Sequence, residues 1–414
     1  MIKTYIERGQ YLSKIKPFFG KEVIKVITGQ RRVGKSYLLF QIMDMVKRFG
    51  PKDARIIYIN KELHEFDAIS DYRDLLKYIA GKSSGAKRSF VFIDEIQEIG
   101  QFEKALRSLQ AEGGFDIYCT GSNADLLSGE LAGRLSGRYI EIKVFGLSYA
   151  EFLRFHKLED GGDAFLKYIR YGGLPYLINL KLEDDVVYEY LRTIYGTILL
   201  KDIVMRHGAR NVNFLERLAE FLAGNTGSLV SAKRISDFLK SQKTNISPNV
   251  VLNYLSFLTS AFLVFKVPRA DVSGKKIFEI GEKYYFEDLG IRHAIIGYRH
   301  NDINKILENL VFIHLTMSGY KVNVGKLGDR EIDFVCEKSG ERLYVQVAYL
   351  LKDDAARSRE FGNLLAIKDN YPKVVVSMDE AAGNGFKGIE QVNVRNFLLR
   401  PFHDKSESPA RRNR

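Results

Sequence analysis

The chain has 414 residues, 45% hydrophobic and 28% charged, with two cysteines and a formal net charge of +12. That length calls for two to four domains, and the balance excludes a disordered chain. Two cysteines exclude a disulfide framework and fit a reducing cytoplasm, and neither a membrane span of roughly 18–20 apolar residues nor a secretory signal can be read.

The surplus of cations leaves two readings open, affinity for a polyanion, nucleic acid foremost, or a merely solvated surface. The seven histidines are scattered, with no H-E-x-x-H or C-x-x-C spacing to suggest zinc.

From the N-terminus, strands and helices alternate. The run 23–29 is almost wholly apolar, as a strand buried on both faces should be, and 55–60, 89–96, 116–122 and 139–146 repeat the signal between helix-length stretches. This alternation predicts a parallel sheet in an α/β domain over 1–150.

The loop after the first strand reads Gly29-Gln30-Arg31-Arg32-Val33-Gly34-Lys35-Ser36, which matches G-x-x-x-x-G-K-[ST]. Glycines let backbone N–H groups curl around phosphates, Lys35 reaches the β- and γ-phosphates, and the Ser36 hydroxyl is a magnesium ligand. The helix that follows points its positive end at the anion. Asp94 and Glu95 close the apolar run 90–93. An Asp there holds the magnesium shell and the adjacent Glu polarises the attacking water. ATP and Mg2+ are therefore the expected ligands.

Ser122 or Asn123, ending the next strand, could orient that water or form an ordinary turn. Arg134 and Arg138 stand four apart before the last strand. Either could reach a neighbouring subunit's γ-phosphate in a homo-oligomer, or be a solvated pair. Asn60-Lys61-Glu62 begins like a guanine-reading N-K-x-D, but residue 63 is Leu and the segment lies too early in the chain, so guanine specificity is discounted.

Together the segments 29–36, 92–99, 120–142 and 145–153 resemble a large group of bacterial and archaeal ATPases with an AAA-type core and a poorly understood C-terminal domain. The resemblance covers nearly the whole chain. That group is similar to signal-transducing P-loop ATPases, which implies sheet order 5-1-4-3-2. It also implies a nucleotide contact for Pro175, since Gly173-Leu174-Pro175 resembles the Gly-x-Pro element of a helical lid. Lys201-Asp202-Ile203 with Arg206 looks like a further recurring segment of the group.

Residues 151–210 read as that helical lid, broken at Gly161-Gly162 and Gly172-Gly173. From 211 to 295, three amphipathic helices and an alternating hairpin read as a winged helix. Ser247 caps and Pro248 opens the third helix. Winged helices often place this helix in the DNA major groove. Here it is poor in cations, and Lys240, Lys243, Lys275 and Lys276 flank it instead. Phosphate contact by Lys275 and Lys276 and a protein-contact role both stay open.

Residues 296–400 resemble a restriction-endonuclease-like α/β fold, with Glu308, Asp333 and Gln346 at the spacing of its acids. That site needs a third carboxylate and a lysine two residues on. Gln346 and Ala348 stand there instead, so the nuclease chemistry is expected to be degenerate unless Lys352 migrates in. Residues 401–414 read as a disordered basic tail.

The expected fold is thus an α/β P-loop ATPase core with a helical lid, a winged helix and a nuclease-like domain. The expected activity is Mg-dependent ATP hydrolysis in a cytoplasmic switch or motor. DNA or a protein would be the partner, with no role for a membrane. The alternatives are a regulatory DNA-binding protein with ATP as a structural ligand, and an ATP-gated metal nuclease.

Overall fold

The computed structural model describes residues 5–127, 135, 137–272, 281–351, 354–380 and 385–401. Strands β1 (Ile24–Thr28), β2 (Arg55–Asn60), β3 (Ser89–Asp94), β4 (Phe115–Gly121) and β5 (Tyr139–Lys143) form one sheet in the order β2-β3-β4-β1-β5. Every pairing is parallel. Read from the other edge, this is the expected 5-1-4-3-2. The central strands β1, β3 and β4 are buried at every position, which explains their unbroken apolar runs. Of their three buried charges, Lys25 and Asp116 form an ion pair with each other, and Asp94 closes β3 at the site described below.

Helices α1 (Gly9–Ile15), α2 (Lys35–Phe49), α3 (Tyr72–Ser83) and α4 (Phe102–Glu112) accompany this sheet. The lid follows as α5 (Tyr149–His156), α6 (Gly162–Tyr171), α7 (Asp184–Thr197) and a π-helical continuation, Ile198–Met205. The breaks fall at the glycine pairs, where Gly161 caps α6 at its start and Gly172 at its end. One continuous apolar core joins Ile27, Leu38 and Phe92 of the sheet layer to Leu174, Leu191 and Ile198 of the lid. It runs on to Leu218, Leu255 and Leu258 of the next helices, so the lid shares one core with the elements before and after it.

Those next helices are α8 (Val212–Gly224), α9 (Ala232–Ser241) and α10 (Pro248–Ser260). The hydroxyl of Ser247 accepts the Val250 N–H at the start of α10, and Pro248 takes the first turn, where no amide hydrogen is needed. Strands β6 (Leu229–Val230), β7 (Val264–Asp271) and β8 (Glu282–Phe286) follow, then α11 (Leu289–Ile296), α12 (Ile303–Met317), β9 (Lys321–Leu327), β10 (Arg330–Lys338) and β11 (Glu341–Val347). Helix α13 (Asp354–Leu365), β12 (Lys373–Ser377), β13 (Glu390–Asn393) and α14 (Val394–Leu398) complete the described chain.

The hairpin and the C-terminal strands make a single eight-stranded sheet, ordered β13-β12-β11-β10-β9-β7-β8-β6. The junction is β7. Its first residues, 264–268, pair antiparallel with β8, while Arg269, Ala270 and Asp271 pair parallel with β9. A strand has two hydrogen-bonding edges, and β7 uses one for the hairpin and the other for the C-terminal layer. Residue alternation reports which face is buried, not which edge is taken.

Candidate nucleotide site

The phosphate loop leaves the carboxyl end of β1 and enters α2. Gly29 and Gly34 both have positive φ, 148° and 97°. A Cβ on Gly29 would lie 2.1 Å from the carbonyl oxygen of Val144, so glycine alone lets the loop pass the strand-β5 exit. Pro175 stands over Gly34, 3.8 Å from where a Cβ would project. This places the lid's Gly-x-Pro element directly on the loop.

Lys35 is buried, and its ammonium donates to the carbonyls of Gly29 (2.9 Å) and Gln30 (3.0 Å). It also lies 3.9 Å from Glu95 Oε1. Burial lowers the pKa of Lys35 despite the pull of Glu95 and Asp94. An anion arriving at the loop would supply the charge that burial denies this lysine.

The β3 end carries the two carboxylates. Asp94 accepts from the Thr120 hydroxyl (2.5 Å) and is hydrogen-bonded to Ser36. Burial pushes its pKa up, against the hydroxyls of Thr120 and Ser36. Glu95 has φ of 56°, a conformation side chains other than glycine rarely adopt. Its N–H donates to Thr120 Oγ1 (2.9 Å), and its Oε2 accepts from Ser122 (3.1 Å) and from Gln97. Burial would raise the pKa of Glu95, but Lys35, Gln97, Arg31 and Ser122 hold it below the usual range, so the carboxylate stays ionised. A hydroxyl and a carboxylate meeting at a loop of backbone N–H groups are the donors a hard cation on a polyphosphate requires. Ser36 and Asp94 fit that role. Asn123 is buried beside Ser122 at the end of β4.

Several loop contacts were not legible in the sequence. Arg31 forks onto Asp202 of the π-helical segment, with Nε and Nη2 donating at 2.9 and 2.8 Å. Gln30 donates to the Phe262 carbonyl at 3.0 Å, between α10 and β7. Arg8, from the N-terminal segment, is buried and donates to the carbonyls of Val33, Phe145 and Gly146 and to both oxygens of Glu151. Glu151 also closes a capping box with Ser148 at the start of α5. At the β8–α11 junction, Glu287 and Asp288 accept the N–H groups of Gly146 (2.8 Å) and Gly173 (2.7 Å). The only hint of these in the sequence is the S-x-x-E capping pattern and the recurring 201–203 segment.

Arg32 is exposed and makes no such contact, and Val33 packs into the core. Arg138 is exposed at the amino end of β5, level with Ile24, whose N–H its carbonyl accepts. The phosphate loop is at the opposite edge, a strand length of roughly 17 Å away. Within one chain Arg138 does not face the site. Arg134, Lys275, Lys276 and Lys352, and the tail beyond 401, lie outside the described residues.

The region expected to be nuclease-like brings Glu308, Asp333 and Gln346 together, from α12, β10 and β11. The Asp333 N–H approaches Gln346 Oε1 at 3.4 Å, and Asp333 Oδ2 accepts the Val347 N–H at 2.8 Å. A lysine is present, but from β8. Lys283 contacts Glu308 and Glu331 at 2.8 Å each and is buried. Burial, and then Glu308, push the Asp333 pKa well up, while Lys283 opposes this. No group of three or more His, Cys, Asp or Glu among the described residues is disposed to hold a metal ion. Lys283 offsets part of the negative charge of this cluster.

The first fold thus defines a P-loop ATPase core, and comparison with known proteins gives the family. Residues 21–153 match the model of an AAA domain, and 162–302 match a domain of unknown function (DUF8612). An uncharacterized protein of Haemophilus influenzae is 38% identical over 405 residues, 96% of this chain and 100% of that one. An uncharacterized protein of Methanocaldococcus jannaschii is 33% identical over 365 residues, 84% of this chain and 79% of that one. Among solved structures, a Walker-type ATPase of Pyrococcus abyssi is similar with a TM-score of 0.47 and 16% identity, over 70% of this chain and 96% of that one. The chain belongs to the family of bacterial and archaeal AAA-type P-loop ATPases that carry a C-terminal domain of unknown function.

Proposed function

We propose that this protein is an ATP-driven switch that hydrolyses ATP to ADP and phosphate in the presence of Mg2+. The observation that carries the reading is Glu95: ionised, held in a left-handed conformation by Thr120, and aimed by Ser122 and Gln97 to within 3.9 Å of Lys35. A carboxylate so placed orients a water and draws off its proton as the water oxygen attacks the γ-phosphorus and the bond to the β-phosphate oxygen breaks. Lys35 holds the phosphate charge. Ser36 and Asp94 would hold the magnesium, which neutralises charge on the phosphate oxygens when bound. Ser122 and Asn123 frame the water from β4.

The output is a change in how the lid sits. Pro175 over Gly34, Asp202 on Arg31 and Phe262 on Gln30 connect the loop to the lid and to the region we read as a winged helix. Its α10 exposes Asn249, Val250, Leu252, Asn253 and Ser256, with no Lys or Arg on that face. Cations collect on α9 and after it, at Lys233, Arg234, Lys240 and Lys243, all exposed. This supports phosphate contact with DNA rather than base reading, or a protein partner. The exposed Arg138 is free to serve a neighbouring subunit's site in a homo-oligomer. No helix among the described residues is long and apolar enough to cross a membrane, and both cysteines are buried thiols. A cytoplasmic location agrees with both.

Steady-state phosphate release with and without duplex DNA tests the reading. Turnover that needs Mg2+ and disappears in Lys35→Ala is expected, and no turnover under any condition would leave ATP as a structural ligand.

A further inference from the structure

The phosphate loop carries a second buried cation besides Lys35. Arg31 is 8% exposed, and Asp202, 1% exposed, takes its Nε and Nη2 in a two-point fork. The remaining nitrogen, Nη1, faces Glu62 at 3.7 Å, too far for a hydrogen bond. Arg31 stands on the same loop as Lys35, whose ammonium lies 3.9 Å from Glu95 Oε1, and it acts electrostatically on both groups. Those two groups mark where a terminal phosphate and its attacking water belong, so the guanidinium stands at the γ-phosphate end of the loop.

Asp202 belongs to the π-helical stretch Ile198–Met205. Such i→i+5 stretches are rare and cluster at functional sites, because their geometry is kept only by surrounding contacts. Two of these contacts reach the nucleotide site. Asp202 grips the phosphate loop, and Arg206, next after the stretch, lies 3.6 Å from Glu98 in the turn following Glu95. The segment therefore clasps the loop and the water-orienting strand together. A guanidinium suits an exchange of partners, because its planar fork fits carboxylate and phosphate alike.

We infer that Arg31 senses the γ-phosphate within its own chain, and that Asp202 is its positioning residue, so that binding of a terminal phosphate draws the guanidinium from Asp202 and loosens the clasp at 198–205. The inference rests on the ATPase reading above. It identifies an arginine acting in the same chain, whereas Arg134 and Arg138 would act between chains. ADP lacks the third phosphate, so it leaves the Arg31–Asp202 fork in place.

The test is equilibrium binding of ADP and of a non-hydrolysable ATP analogue to the full chain with Mg2+, paired with hydrogen exchange of the 198–205 amides. For the wild type, the analogue should raise exchange in 198–205 and ADP should not. Arg31→Ala should weaken the analogue by about 10- to 100-fold, the scale of a charge-assisted hydrogen bond, and change ADP affinity less than about 3-fold. Arg31→Lys keeps the charge without the fork and should fall between them, which guards against a misfolded alanine variant. Asp202→Asn should show high exchange in 198–205 before any nucleotide is added. Equal weakening of both nucleotides in Arg31→Ala, or exchange unmoved by the analogue in the wild type, overturns the inference while leaving the ATPase reading intact. A wild-type chain that binds neither nucleotide overturns that reading and the inference with it.

Discussion

Strands β3 and β10 each present a buried carboxylate, Asp94 and Asp333, near a buried lysine, and the two clusters have opposite fates. At the end of β3, Asp94 is met by hydroxyls, from Thr120 and Ser36, and Lys35 spends two hydrogen bonds on its own loop's carbonyls. At β10, Lys283 contacts Glu308 and Glu331 directly and faces Asp333. The pKa directions separate the two lysines. Burial lowers that of Lys35, with too little opposing charge near it, whereas the carboxylates around Lys283 overcome burial and raise it. A site that awaits an anion keeps its lysine short of negative charge, and an ion cluster that stabilises a fold does not.

The largest expected effect divides these lysines. Lys35→Ala should abolish ATP turnover yet leave the nucleotide-free chain folded, because the lysine is already disfavoured by burial. Glu95→Gln should keep ATP bound while slowing hydrolysis about 10²- to 10⁴-fold, the range for a lost general base. Normal phosphate release in either variant breaks the comparison at its first site.

Lys283→Ala should act the other way, costing about 3 kcal/mol of stability, the lower end for uncovering a buried charge, since Asp333 can take up a proton instead. Urea denaturation reads this. ATP turnover per folded molecule should be unchanged. No strand cleavage should occur in magnesium or manganese, and magnesium-dependent nicking lost in Asp333→Ala would show that the second cluster is an active site after all.

A third measurement concerns the joint between the two regions. Burial, and then Asp288, push the Glu287 carboxyl up to about 8 from its ordinary 4.5. Its folded pKa is above its unfolded one, so the stability it contributes is complete below pH 4.5 and is lost as pH rises through about 8. Melting temperature should therefore fall over that window. Glu287→Gln should flatten the fall, leaving the shallower contribution of Asp288, whose carboxyl burial pushes to about 6. An unchanged pH profile in the variant would show that Glu287 titrates normally.

The smallest expected effect is on DNA. Sequence-tolerant duplex binding should weaken with salt, log affinity falling with a slope of roughly −3 to −5 against log salt for a few phosphate contacts. Lys275→Ala with Lys276→Ala should flatten that slope without altering sequence preference. No binding at low salt would assign the α8–α10 region to a protein partner.

The phosphate loop, the Asp94-Glu95 pair and the parallel pairing of the first sheet were legible because each is a local pattern: a spacing of glycines, a carboxylate after an apolar run, strands separated by helices. The order of that sheet came only through the family resemblance. Glu308, Asp333 and Gln346 were legible in the same way, as a spacing. Lys283 was not. It lies 25 residues before Glu308 on a hairpin strand, and nothing in its neighbourhood differs from an ordinary solvated lysine. Arg31 is legible as a member of the nucleotide-binding loop, but its fork onto Asp202 is not, since the motif leaves the residue type at this position open.

The sequence by itself determined the chemistry of the nucleotide loop, because backbone N–H groups, a lysine and a hydroxyl within eight consecutive residues need no distant partner to be recognised. It determined the lid's breaks in the same way, through glycine pairs. Only the tertiary structure decided what each charge is for. Whether a buried lysine waits for a phosphate or neutralises an acid cluster depends on which carboxylates the fold brings within a few ångströms. Those come from residues 25 to 171 positions apart in this chain, as with Lys283 and Glu308 or Arg31 and Asp202. Electrostatic energy falls with distance in space and is blind to separation along the chain.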